Sequence, residues 1–216
     1  MDPLFLIAIA FVILSIIFHE VAHGFVADLF GDPTARYSGR LTLNPLPHID
    51  PIGSIIIPGI LALTNSPFLI GWAKPVPYNP YNLNSKKWGI PQQAGEALVA
   101  FAGPATNILI AIIFGLAIRF YAAAISTDVL EILVVVVYAN LALATLNMIP
   151  IPPLDGSKIL KALLPYPLAA SYARLETFTY TLGPIGLIGV LLLLIYVFSD
   201  SMFAFISLLF SLITGL

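Results

Sequence analysis

His19, Glu20 and His23 stand in the run Phe18-His19-Glu20-Val21-Ala22-His23-Gly24, and the fifteen residues before it, Pro3 to Ile17, carry no charge. Histidines four apart on a helix stack on one face about one turn from each other. A glutamate next to the first lies roughly 100° round the axis, close enough to lean over whatever the imidazoles hold. This is the spacing by which a helix supplies two zinc ligands and a general base. Ionisable side chains at membrane depth are costly, so their presence in an apolar helix is a functional hypothesis in itself. Two other readings use the same residues: a chance match on a soluble helix, and histidines acting as hydrogen-bond glue between membrane helices.

Composition sets the surroundings. Of 216 residues 59% are hydrophobic and 9% charged, with a mean hydropathy of +0.99. That is far above the apolar share of a soluble domain and implies an all-α polytopic membrane protein, one domain over 1–216. Its catalytic core covers about 3–165, and further membrane segments about 180–216. Net charge is −2 with a pI near 5.8, and no basic stripe occurs, which argues against a nucleic-acid partner. Cysteine is absent, so thiolate ligands and disulfides are excluded, and histidine and carboxylate remain as zinc donors. The start Met1-Asp2-Pro3 has no basic n-region and its apolar run continues through the histidine motif, as in a retained helix rather than a cleaved signal.

The elements that must position these residues follow from apolar length and from Gly/Pro punctuation. Spans are predicted over Pro3–Ala27, closed by Gly31-Asp32-Pro33, and over Gly95–Ala122, Val129–Ile149 and Leu182–Phe198, with Met202–Leu216 a fifth span or a hairpin return. At 1.5 Å per residue the histidine motif lies roughly 9 Å inside the exit boundary of the first span. Residues 34–51 read as a polar loop with room for a short hairpin. Ile52–Ala62, broken by Pro58 and Gly59, is too short to cross and is expected to be re-entrant within 52–70. Prolines at 75, 77, 80 and 91 exclude helix from 71–93. The expectation is therefore five to six membrane segments, with short extended or β loops near the site. Treating 52–70 as re-entrant gathers eight of the nine basic residues on one side, all but Arg119. By the positive-inside rule that side is cytoplasmic and the N-terminus external. A full crossing by 52–70 would scatter them.

This topology brings the inner end of the first helix beside Asn147-Met148-Ile149-Pro150-Ile151-Pro152-Pro153-Leu154-Asp155-Gly156. A catalytic zinc takes three protein ligands and keeps one position open, and Asp155 is the carboxylate on offer. Asp155 also precedes an amphipathic helix start, where it could serve as an N-cap. Asn147 opens this run. Asn140, seven residues earlier, and Asn107 each fit either a site role or helix–helix glue, His48 reads as a loop histidine before a ligand, and Trp72 as an interfacial anchor.

The pairing of Phe18–Gly24 with Asn147–Gly156 resembles the site-2 proteases, zinc metalloproteases that cut within or beside the membrane. Leu43–Gly53, Gly71–Pro77 and Ala102-Gly103-Pro104-Ala105-Thr106-Asn107 resemble the small prokaryotic members, and the likeness covers most of 15–165. It implies His19, His23 and Asp155 as ligands of one Zn2+ per chain, Glu20 as catalytic base and Asn147 as its helper at the carbonyl. It also implies single-span membrane proteins or membrane peptides as substrates and a prokaryotic inner-membrane location. No inserted segment is long enough for a PDZ domain, and no CBS pair follows. Two other functions fit parts of the pattern: a metal transporter or channel using the His/Asp cluster, and an inactive protease-like scaffold. A helical substrate must unwind before cleavage, and its freed backbone groups then need partners. Ala73–Val76, kept extended by Pro75 and Pro77, is expected either to offer the Lys74 and Val76 N–H groups to an added substrate strand or to be a rigid loop under the helices.

Overall fold

The computed structural model describes residues 3–64 and 71–216. The first helix, α1 (Pro3–Leu29), starts on a proline and stops where Gly31 takes φ +95° ahead of Pro33. A single turn, α2 (Thr34–Tyr37), and a 3-10 turn at Leu46–His48 follow, and no hairpin forms. A wide turn over Pro51–Ile56 leads into the short α3 (Ile57–Leu63). After an extended stretch with two 3-10 turns, α4 (Gln92–Tyr121) begins behind Pro91 and carries Pro104 inside it. Then come α5 (Thr127–Asn147), α6 (Asp155–Leu163), α7 (Tyr166–Thr181) and α8 (Pro184–Thr214).

Among the described residues four helices are long and apolar enough to cross a bilayer, namely α1, α4, α5 and α8, and Pro51–Leu63 is a shorter apolar helix. The chain is an integral membrane protein of all-helical build, and its extended loops form no strand among the described residues. Its large side chains follow the lipid solvent: Phe5, Leu109, Ile113, Leu192 and Phe205 are exposed on the outside of the bundle.

The last two expected membrane segments merge into one helix. Leu182–Phe198 and Met202–Leu216 are not two segments, because α8 runs unbroken through Ser199-Asp200-Ser201. Nothing in that polar triplet removes a backbone donor or demands a positive φ, and the helix simply continues. Its second half packs on the centre of the fold. Ile206 and Phe210 of α8 join Ala111 and Ile118 of α4 and Val137 and Leu141 of α5 in one buried cluster, with Phe210 stacked 4.2 Å from Tyr138. α4 is the hub of the bundle and touches α1, α5, α6 and α8.

Residues 65–70, the second half of the expected re-entrant element, lie outside the described residues. Its two ends are close together. Trp72 N–H donates to Gly53 C=O at 3.1 Å and Lys74 N–H to His48 C=O at 2.9 Å, so the chain returns beside the point where it left. A full crossing would separate these ends by about 30 Å, and that arrangement is excluded.

From there the segment 71–79 is strapped across α1. Arg40 Nη2 donates to Lys74 C=O at 2.6 Å, Val76 N–H to Glu20 Oε2 at 2.9 Å, and Asn79 N–H to Asp32 Oδ2 at 2.6 Å. Burial alone would raise the Asp32 carboxyl, but hydrogen bonds from Thr34, Asn82 and the Asn79 N–H outweigh it and hold it below its ordinary value. Asp32 thus stays an acceptor that pins the far end of the strap.

Candidate metal centre

His19 and His23 project from one face of α1 onto one face of α4, where Val99, Gly103 and Asn107 recur at four-residue intervals. The two rings meet edge to face with centroids 4.7 Å apart, and both are buried, at 6% and 8% exposed. Each ring is held from behind. His19 Nδ1 lies 2.6 Å from Asn107 Oδ1, and His23 Nδ1 lies 2.7 Å from Val99 C=O. Both Nε2 atoms are left pointing at the same spot, 3.1 Å from each other.

Asp155 completes the triangle. Its Oδ2 is 3.2 Å from His19 Nε2 and 3.3 Å from His23 Nε2. An ion held tetrahedrally at zinc–ligand distances has ligand atoms about 3.3–3.4 Å apart. Two imidazoles and a carboxylate are a borderline-soft donor set suited to zinc. The residues therefore fit such an ion both in spacing and in chemistry. Asp155 is the first residue of α6, Leu154 takes the cap position, and the carboxylate makes no capping bond. The cap reading falls away. Burial would raise the Asp155 carboxyl, yet the hydrogen bonds and charge of His19 and His23 overcome it and keep it well below the usual carboxylate range.

Gly103 makes the approach possible. A Cβ there would lie 2.4 Å from His23 Nε2 and 2.6 Å from His19 Nε2, inside the space the ligands share. Both neighbours are rings locked at their far side, so they cannot retreat cheaply. Gly103→Ala is expected to lower zinc affinity by about 100-fold or more while leaving helix content unchanged. Equilibrium dialysis against zinc, with circular dichroism as the fold control, checks this.

α6 has its own anchors. Lys161 Nζ bridges Glu176 at 2.9 Å and Glu96 at 3.4 Å, tying α6 to α7 and α4. Lys158 Nζ lies 5.1 Å from the centre of the Tyr78 ring. Burial would lower this ammonium, but Tyr78, Tyr180 and Asp155 together raise it, so it stays charged. Gly156 sits so close to the turn before it that a Cβ would be 2.2 Å from Met148 C=O. The turn from Asn147 to Gly156 is thereby set tightly enough to aim Asp155 back at α1.

The other residues singled out by sequence fall in different places. Glu20 is fixed by the Val76 N–H, with Arg40 as a neighbouring positive charge. The amide of Asn147 donates to Leu143 C=O of its own helix at 3.0 Å and makes no hydrogen bond to Glu20 or the three candidate ligands. His48 stands outside the cluster, its Nε2 bonded to Thr42 C=O at 2.9 Å. Asp50 caps the Pro51–Ile56 turn through the N–H groups of Ile52 and Gly53. Trp72 is not simply an outward anchor, because its ring covers Gly53. The added-strand expectation needs correction: the Lys74 and Val76 N–H groups are already donated, to His48 C=O and to Glu20. What sequence reasoning left open was Asn107 against the His19 ring, together with Asn140 behind it; the signal was a polar amide on each of two apolar helices.

A cavity of about 810 Å³ lies along α1, lined among others by Ile13, Ile17, His48, Trp72, Val135 and Leu143, and none of His19, Glu20, His23 and Asp155 lines it. Its walls come from α1, α5 and residues 45–58 and 71–73.

Comparison with known proteins agrees with this chemistry. The family model described as "Peptidase family M50" matches residues 115–193, a stretch that holds Asp155 but not the histidine motif. "Putative zinc metalloprotease YwhC" of Bacillus subtilis is 38% identical over 175 residues, covering 78% of this chain and 74% of that protein. "Putative zinc metalloprotease Rip2" of Mycobacterium tuberculosis is 30% identical over 152 residues, 70% of this chain and 55% of its own length. "Putative zinc metalloprotease MJ0611" of Methanocaldococcus jannaschii is 29% identical over 160 residues, 73% of this chain and 70% of its own. No solved structure matches the chain.

Proposed function

The chain belongs to peptidase family M50, the site-2 proteases, and from that premise we propose that it is an intramembrane zinc endopeptidase, hydrolysing peptide bonds within or next to transmembrane helices. The observation that carries this reading is the triangle of His19 Nε2, His23 Nε2 and Asp155 Oδ2, with a carboxylate one residue along from the first ligand. One zinc per chain is held by these three residues. The substrates are single-span membrane proteins or membrane peptides, and the site faces the cytoplasmic side of a prokaryotic inner membrane, with the N-terminus outside.

Zinc at such a site acts as a Lewis acid toward a carbonyl and lowers the pKa of water toward about 7. The chain's own residues supply the rest. Glu20 takes a proton from the attacking water as the new C–O bond forms, then returns it to the amine as the C–N bond breaks. Val76 N–H holds one oxygen of Glu20 through both steps and leaves the other to carry the proton. Asn147 is the donor to the oxyanion, and to serve it must turn its amide from Leu143 C=O toward the carbonyl. The apolar cavity along α1 and α5, which ends at Ile17 two residues before His19, is the candidate berth for an apolar substrate segment.

A metal transporter would need ligands beyond the first cluster. Among the described residues His19, His23 and Asp155 form the one group able to hold an ion, and no second group continues a path. The experiment is incubation of the purified protein in detergent with unrelated transmembrane peptides, with and without a chelator, reading cuts by mass spectrometry and zinc by elemental analysis. Cleavage that stops on chelation and returns with zinc is the expected result. A zinc-loaded protein that cuts none of the peptides, or cutting indifferent to the chelator, would overturn the proposal.

A further inference from the structure

Behind His19 lies a chain of hydrogen bonds that crosses three helices and has only one possible direction. It starts from backbone carbonyls, which can only accept. Ser15 Oγ–H donates to Phe11 C=O at 3.0 Å and so spends its single proton. Its oxygen must then accept from Asn140 Nδ2, at 2.9 Å, while the other Nδ2 proton goes to Val136 C=O at 2.8 Å. With both its protons committed, Asn140 turns its Oδ1 toward Asn107 and accepts from Asn107 Nδ2 at 2.9 Å. Only Oδ1 of Asn107 is then left to face His19 Nδ1, at 2.6 Å. Nδ1 must carry the proton, and Nε2 presents its lone pair toward Asp155 and His23.

The geometry points to Asn140 as a positioning residue for His19: through Asn107, the chain from Ser15 fixes the Nδ1-protonated tautomer and the ring angle that offer Nε2 to a metal. Asn107 and Asn140 are both fully buried, at 0% exposed. A carboxylate could accept the same proton, but an unpaired one would be costly at this depth in a membrane. An amide whose every N–H is spoken for gives the direction without the charge. His23 needs no such relay because Val99 C=O, an obligate acceptor, holds it directly.

The competing account is that Asn140 only glues α5 to α1 and α4. The two differ in what happens at the metal. Without Asn140, the Asn107 Nδ2 keeps only a long 3.5 Å bond to Ser15 C=O, so its amide reverses more readily and offers N–H to His19, which favours the Nε2-protonated tautomer and removes the ligand lone pair. Asn140→Asp keeps an oxygen facing Asn107 Nδ2 in either protonation state, so the direction survives.

The inference rests on the proposed zinc role of the site, and its test is zinc affinity of the full chain in detergent, by competition with a chromophoric chelator. Thermal unfolding of the chelated proteins is the control. Asn140→Ala is expected to weaken zinc binding about 10-fold, and Asn140→Asp by no more than about 3-fold. With only three histidines in the chain, 15N-histidine spectra of the chelated protein should show His19 protonated at Nδ1 in the wild type and a mixture in Asn140→Ala. Ser15→Ala, which removes one acceptor from Asn140, is expected to show a smaller weakening, about 3-fold; it carries the test if the Ala variant does not fold. Lowered thermal stability with zinc affinity and tautomer unchanged would overturn the inference and leave Asn140 as glue. So would Asn140→Asp binding zinc as poorly as Asn140→Ala. A wild-type protein that binds no zinc would overturn the proposed function as well, which separates the two failures.

Discussion

Replacing Glu20 by glutamine is expected to leave zinc binding at the wild-type level and to reduce peptide cleavage by about 10³-fold or more. The amide has the size of the carboxylate, and its oxygen can still accept from the Val76 N–H, so the strap over α1 stays in place. What disappears is the base, for an amide can neither take the proton from water nor carry it to the leaving amine. The comparison that gives the result meaning is His19→Ala, which should lose zinc and activity together because Nε2 of His19 is one corner of the triangle. Zinc content by elemental analysis and turnover of a transmembrane peptide by mass spectrometry, on the same preparations, check both. Turnover by Glu20→Gln at the wild-type rate would remove Glu20 from its assigned role. Loss of zinc from that variant would mean that Glu20 contributes to holding the ion.

The parts of this molecule legible in its sequence are those set by local chemistry. Three-residue and four-residue spacings put His19, Glu20 and His23 on neighbouring lines of α1 whatever the rest of the chain does. Prolines at 33 and 91 mark helix boundaries because a missing N–H and a fixed φ act at the residue itself. Asp155 was reachable because charge placement in the loops orders the spans, and that order puts two helix ends side by side. The rest depends on partners far along the chain. Lys74 and Val76 look like unpaired donors between prolines, yet Val76 meets Glu20 across 56 residues. Asn107 meets His19 across 88 and Asn140 meets Ser15 across 125, so their shared direction is visible only when three helices stand together. The unbroken α8 was missed for a different reason: Ser199-Asp200-Ser201 looks like a boundary by hydropathy, and hydropathy does not break a helix.

Asp155→Asn is expected to fold as the wild type does, and to lose zinc affinity by at least about 100-fold and cleavage with it. Folding should survive because the seat of α6 does not use this side chain. Lys161 holds α6 to Glu96 and Glu176, Gly156 packs on the Met148 carbonyl, and the carboxylate caps nothing. Affinity should collapse because the amide offers zinc a neutral oxygen where the site has its only anionic corner. Neither Asp50 nor His48 is poised to replace it. Asp50 is engaged with the N–H groups of Ile52 and Gly53, and His48 with Thr42 C=O, so recruiting either would break a bond that sets the re-entrant turn or the loop before it. Asp155→Ser, which keeps an oxygen able to cap a helix, should behave as the Asn variant does, since capping is not what the residue contributes. Thermal unfolding of the chelated proteins separates a fold defect from a binding defect, and zinc competition measures the latter. Wild-type zinc affinity in either variant would mean that the ion takes its third ligand from elsewhere, and that the 3.2 and 3.3 Å contacts of Asp155 with His19 and His23 are an ion pair and no more.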